Sequence, residues 1–279
     1  MTAIESVELD GAAIRYTDIG SGPPVVFVHG AYVTGALWDD VVDRLAVDYR
    51  CIAPTWPFGA QEAPVGDVDL GVRAAGRRIA GLLDALDLKD VTLVSNDTGG
   101  GIVLSALGDS TLNFDRVSRL VFTNCDSFEH FPPKSFAPIV KLCSASAMGG
   151  RLVLGALASG PGLKFFASSV TGNGIPAERL PTIFGGFRSS AAVRREAVRF
   201  SADLNSRYTL GAAGALAEWS KPVLLAWGTD DKMFPMAHAQ RLADAFPDAV
   251  LHPIADSSTY VMIDRPDETS SAIEGFVAK

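Results

Sequence analysis

The chain has few features that would tie it to a metal, a bilayer or a nucleic acid. Three cysteines, Cys51, Cys125 and Cys143, are all it carries; an odd number without paired spacing argues against a disulfide framework or a zinc motif and leaves them as small buried apolar side chains. No segment approaches the ~20 consecutive apolar residues that span a bilayer. The opening stretch Met1 to Glu5 has no positive flank followed by an apolar run, so no secretory leader is expected and the expected location is cytoplasmic. Basic runs are missing, and the net charge is −8, which disfavours attraction to nucleic acid or to an anionic membrane; neither is expected as a partner. Internal repeats and low-complexity tracts are missing too. Histidine is scarce: His29, His130, His238 and His252 are the four present.

What is present is a large apolar fraction. With 279 residues and 48% hydrophobic content, the chain can bury a large core, most simply as one domain with an insertion. Short β-branched runs, Pro24 to Val28, Val91 to Val94, Arg119 to Thr123 and Pro222 to Ala226, read as buried strands. Between and after them, helical patterns run near Ala36 to Leu45, Leu70 to Leu86, Gly100 to Leu107, Ala237 to Phe246 and Pro266 to Val277. This alternation predicts an α/β fold, a mainly parallel sheet with helices on both faces. The rhythm breaks over residues 127–213, which are rich in Phe, Pro, Gly and Ser. The expected division is therefore a core of residues 1–126 and 214–279 and a helical cap of 127–213. A cap leaving the sheet there would roof the crevice beyond the strand ends, where Phe128, Phe131, Phe136, Phe165, Phe166, Phe184 and Phe187 are candidates to line an apolar cavity.

Three stretches could carry chemistry. After the strand ending at Val94 comes Ser95-Asn96-Asp97-Thr98-Gly99-Gly100 and an apolar helix. A tight strand-turn-helix of small residues is the setting in which a side chain projects as a nucleophile, here Asp97; the same residues also suit Asp97 as a helix N-cap. His29-Gly30-Ala31-Tyr32 follows another strand, and the amide of Ala31 could join that of Thr98 as an oxyanion hole. His29 itself reads as a loop-organising hydrogen bonder. Gly228-Thr229-Asp230-Asp231 closes a third strand with adjacent carboxylates, either of which could orient a base or cap the next helix.

In this arrangement the chain resembles the α/β-hydrolase superfamily and, within it, the aspartate-nucleophile branch of haloalkane dehalogenases and epoxide hydrolases. The resemblance implies an eight-stranded-type sheet, Asp97 as nucleophile, a cap after Asp126, Asp231 as supporting acid, a histidine near the C-terminus and no cofactor or metal. Counting back from Asp264-Arg265-Pro266, Thr259 stands where that histidine belongs. Thr98 and Ala31 replace the tryptophan and asparagine that hold halide in dehalogenases, and Tyr208 is the one cap tyrosine where epoxide hydrolases present two. Asp97 needs no base to be an anion, since a carboxyl group ionises near ~3.9; opening an ester formed on it does need one. His130 at the start of the cap could substitute, or Asp126 and Asp231 together could activate water. Alternatively Asp97 accepts a proton in an elimination or isomerisation, or the roofed cavity merely binds a small hydrophobic molecule.

Overall fold

The computed structural model describes residues 4–278; residues 1–3, part of the opening stretch read above, and residue 279 lie outside the described residues. The chain begins with strands β1 (Ile4–Leu9), β2 (Ala12–Ile19) and β3 (Pro24–Val28), then helix α1 (Asp39–Leu45), β4 (Arg50–Thr55), α2 (Val72–Ala85), β5 (Val91–Asp97), α3 (Thr98–Leu107) and β6 (Val117–Cys125). Six helices follow without a strand: α4 (Ala137–Ala145), α5 (Ala147–Leu157), α6 (Gly160–Val170), α7 (Leu180–Ser189), α8 (Ala191–Asp203) and α9 (Arg207–Glu218). The core resumes with β7 (Val223–Gly228), α10 (Met236–Ala243), β8 (Ala249–Ile254), α11 (Val261–Asp264) and α12 (Pro266–Val277).

The eight strands form one sheet in the order β1-β2-β4-β3-β5-β6-β7-β8. β1, β2 and β4 pair antiparallel, and every later pairing is parallel. β5 lies between β3 and β6 and is buried along its whole length, as an apolar strand covered on both faces must be. Its C-terminal end and those of β3, β6 and β7 therefore open on the same edge of the sheet, under the helices inserted between β6 and β7. The boundary expected at 213 falls inside α9. A Cβ on Gly108, just after α3, would sit 2.6 Å from Ala212, so this helix packs on the core and the roof ends before it.

Buried carboxylates fasten the roof. Glu196 on α8 accepts hydrogen bonds from Gln61 Nε2 (2.7 Å), Val65 N (3.0 Å) and Gly66 N (2.8 Å) of the loop after β4. Asp264 of α11 accepts from the amides of Gly172 and Asn173 after α6 and from Ser258 in the core. Each pins two otherwise separate segments with bonds stronger than neutral ones.

Candidate active site

Asp97 ends β5 with φ 51° and ψ −133°, a region that non-glycine residues enter only under constraint from their surroundings. Its side chain makes no capping bond to α3; the bend instead thrusts it toward the loop after β3. There the carboxylate lies against Gly30, where a Cβ would fall 2.1 Å from Asp97 Oδ2. The next turn is equally crowded, since a Cβ on Gly99 would meet the His29 carbonyl oxygen at 2.4 Å. The backbone amides of Ala31 and Thr98 point at the carboxylate and favour its charge, but burial and the nearby charge of Asp231 outweigh them and raise its pKa to about 7. His29 holds this loop in place. Its Nδ1 bonds the Gly30 carbonyl (2.8 Å) and its Nε2 accepts from the Trp56 amide (2.8 Å), while burial lowers its pKa to about 4 and keeps it neutral.

Asp231 is buried just beyond the end of β7, near enough for its charge to act on Asp97. Its Oδ1 accepts from the amides of Met233 (2.7 Å) and Phe234 (3.0 Å). Oδ2 accepts from Asn124 Nδ2 (2.9 Å) and from the hydroxyl of Thr259 (2.9 Å). Thr259, the position where the sequence resemblance implies a histidine, thus hydrogen-bonds the acid. Neither oxygen of Asp231 has a donor-free side left to orient a water.

Asp126 stands beside Asp97, its amide donating to the Asp97 carbonyl at 3.3 Å. Both carboxyl oxygens are buried with no hydrogen-bond partner; the Thr98 hydroxyl lies close enough to ease a charge but outside bonding geometry. Burial, then the charge of Asp97, push its pKa well above the usual carboxylate range, because an unpaired buried anion costs several kcal/mol. The direction of that shift disfavours the charged form that a water-activating base would need. His130 is also set apart: its ring stacks on His238 with centroids 3.9 Å apart, and it is not among the residues lining the chamber.

The chamber over Asp97 is apolar and tight. Tyr32, Phe136, Val140, Phe166, Val170, Leu204 and Met233 line it together with Ala31 and Thr98. Of the seven phenylalanines considered from the sequence, Phe136 and Phe166 reach it, whereas Phe187 stacks on Tyr32 at 4.7 Å and Phe165 is 70% exposed. The space left for the centre of a water-sized molecule is about 20 Å3, little more than the ~10–15 Å3 one water needs. Sequence reasoning missed two clamps. Asn124 bonds both Gly228 and Asp231; Asn96 Nδ2 bonds the Thr259 carbonyl at 2.8 Å. A polar residue at the buried end of an apolar strand was their one signal. The three cysteines are free and buried, and among the described residues no cluster of His, Cys, Asp and Glu could hold a metal ion.

Comparison with known proteins places the chain in a family. A model described as "Alpha/beta hydrolase family" matches residues 25–272. The chain is 27% identical to a cis-3-alkyl-4-alkyloxetan-2-one decarboxylase of Shewanella oneidensis, over 97% of this chain and 86% of that one. It is also 27% identical to haloalkane dehalogenase 2 of Mycobacterium tuberculosis, over 93% of this chain and 90% of the other. A haloalkane dehalogenase structure from Bradyrhizobium elkani superposes with a TM-score of 0.82 at 17% identity, covering 100% of this chain and 98% of that one; at that identity the likeness concerns the fold.

Proposed function

Because the chain belongs to the alpha/beta hydrolase family, we propose that it is a cofactor-independent, hydrolase-like enzyme in which Asp97 attacks a small, largely apolar substrate at a C–halogen, epoxide or ester bond. The observation that carries this reading is the lodging of the Asp97 carboxylate against Gly30, with the Ala31 and Thr98 amides directed at it. The amides favour the charge on the carboxylate, and the residue also lines the chamber. At a saturated carbon, a carboxylate oxygen forms the new C–O bond and the leaving group departs with its electron pair. When water later adds to Cγ of the resulting ester, negative charge develops on the oxygen those amides already face. No imidazole is there to deprotonate that water, and such help is worth ~10²–10⁴-fold. Formation of the ester is therefore fast relative to its opening.

A second reading has one observation in its favour. A pKa raised to about 7 suits a proton acceptor in an elimination or isomerisation, chemistry that needs no histidine. The relatives include both a named dehalogenase and a named decarboxylase. Rapid-mixing kinetics separates the two. The nucleophile reading gives a product burst of one equivalent per chain and then a slow phase; turnover with no burst, abolished in Asp97→Asn, would establish proton transfer instead.

A further inference from the structure

The outer surface of the roof differs from the rest of the molecule. Between Glu129 and Glu178 there is no acidic residue, while Lys134, Lys141, Arg151 and Lys164 are all basic, in a chain whose net charge is −8. The same stretch carries exposed large apolar side chains: Leu142 on α4 (40% exposed), Met148 and Leu152 on α5 (62% and 69%) and Phe165 on α6 (70%). The positions around them on α5 and α6, such as Ala147, Gly155, Ala156 and Gly160, are exposed and small. Apolar tips interleaved with lysine and arginine, free of acid, are the pattern of helices lying in a lipid interface. No single helix among the described residues is long and apolar enough to cross a membrane; α5 and α6 pass that test only together and are bent by 80°.

We propose that this face docks the protein on an anionic lipid surface. The net negative charge does not forbid it. Charges beyond the Debye length of ~8 Å are screened at physiological salt, so the lipid senses mainly the charges nearest to it, and phosphate headgroups complement Lys134, Lys141, Arg151 and Lys164. A protein partner fits less well, because interface cores are depleted of charge, whereas here Arg151 and Lys164 sit beside the most exposed apolar tips. Docking also bears on substrate. Val140 of α4 and Phe166 and Val170 of α6 line the Asp97 chamber from the inner sides of helices whose outer sides would face lipid. One helix layer thus separates bilayer from chamber, and the substrate class becomes lipophilic molecules that partition into membranes. That last step rests on the Asp97 reading; docking itself does not.

The test is flotation of the full chain with vesicles of phosphatidylcholine alone and of phosphatidylcholine with phosphatidylglycerol, repeated with Asp97→Asn so that binding is read apart from chemistry. The chain and Asp97→Asn float equally with the anionic vesicles, and less as salt rises. Leu152→Ser with Phe165→Ser, and separately Lys141→Glu with Lys164→Glu, weaken flotation about tenfold or more, with unchanged circular dichroism. Absence of flotation at low salt, flotation indifferent to both pairs of substitutions, or a dimer in sedimentation that Leu152→Ser with Phe165→Ser breaks without any lipid binding would each overturn the proposal.

Discussion

Thr259 donates its hydroxyl to Asp231 at 2.9 Å and is fully buried, so it completes the solvation of that acid. Thr259→Val removes that donor and leaves a buried carboxylate short of one bond, a loss of about 1–3 kcal/mol to be read from urea midpoints at constant slope. The charge of Asp231 is the second cause of the raised Asp97 pKa, after burial. Activity needing ionised Asp97 therefore rises with pH through about 7. Asp231→Asn lowers that limb, whereas Asp126→Asn leaves it in place because Asp126 is not among the groups that raise the Asp97 pKa; pH-rate profiles of the two variants check this. At this scale the sequence singled out Asp97, Ala31 and Thr98 because tight turns demand small residues at fixed offsets, and Asp231 and Thr259 through the family resemblance. The Asn124 to Asp231 bond spans 107 positions, and no local pattern reports it.

The turn joining β5 to α3 and the loop after β3 work as one unit, since the Gly30 backbone approaches Asp97 too closely for any side chain. Gly30→Ala is expected to push the carboxylate off the Ala31 and Thr98 amides and to cost ~10²-fold or more in rate, by analogy with the loss of an oxyanion donor, while the melting temperature changes far less than the rate. At the element scale, buried strands were legible because β3, β5, β6 and β7 are continuous apolar runs. β1 and β2 went unread: along β2 buried and exposed positions alternate, and β1 is largely exposed, so neither has an apolar run. Helices α5 and α6 went unread because glycine and proline within Gly149-Gly150 and Gly160-Pro161-Gly162 mask their period, and tertiary packing overrides weak propensity.

Across the whole molecule, the chamber leaves about 20 Å3 of free space under a roof that Glu196 and Asp264 pin to the core. The pH dependence of stability follows from the raised pKa of Asp97. The folded chain holds that proton to about 7, while the unfolded chain releases it near ~3.9, so stability falls as pH rises between those values. Asp97→Asn escapes the penalty and should be more stable than the parent at pH 8 by roughly 2–4 kcal/mol, the gap closing toward pH 4 in parallel denaturation curves. Intact-protein mass spectrometry after exposure to 1-bromoalkanes and terminal epoxides measures the reactivity of Asp97 most directly. The account predicts a long-lived adduct of one substrate mass on the peptide carrying Asp97, missing in Asp97→Asn; unmodified protein alongside product formation, or an adduct on any other residue, would contradict it.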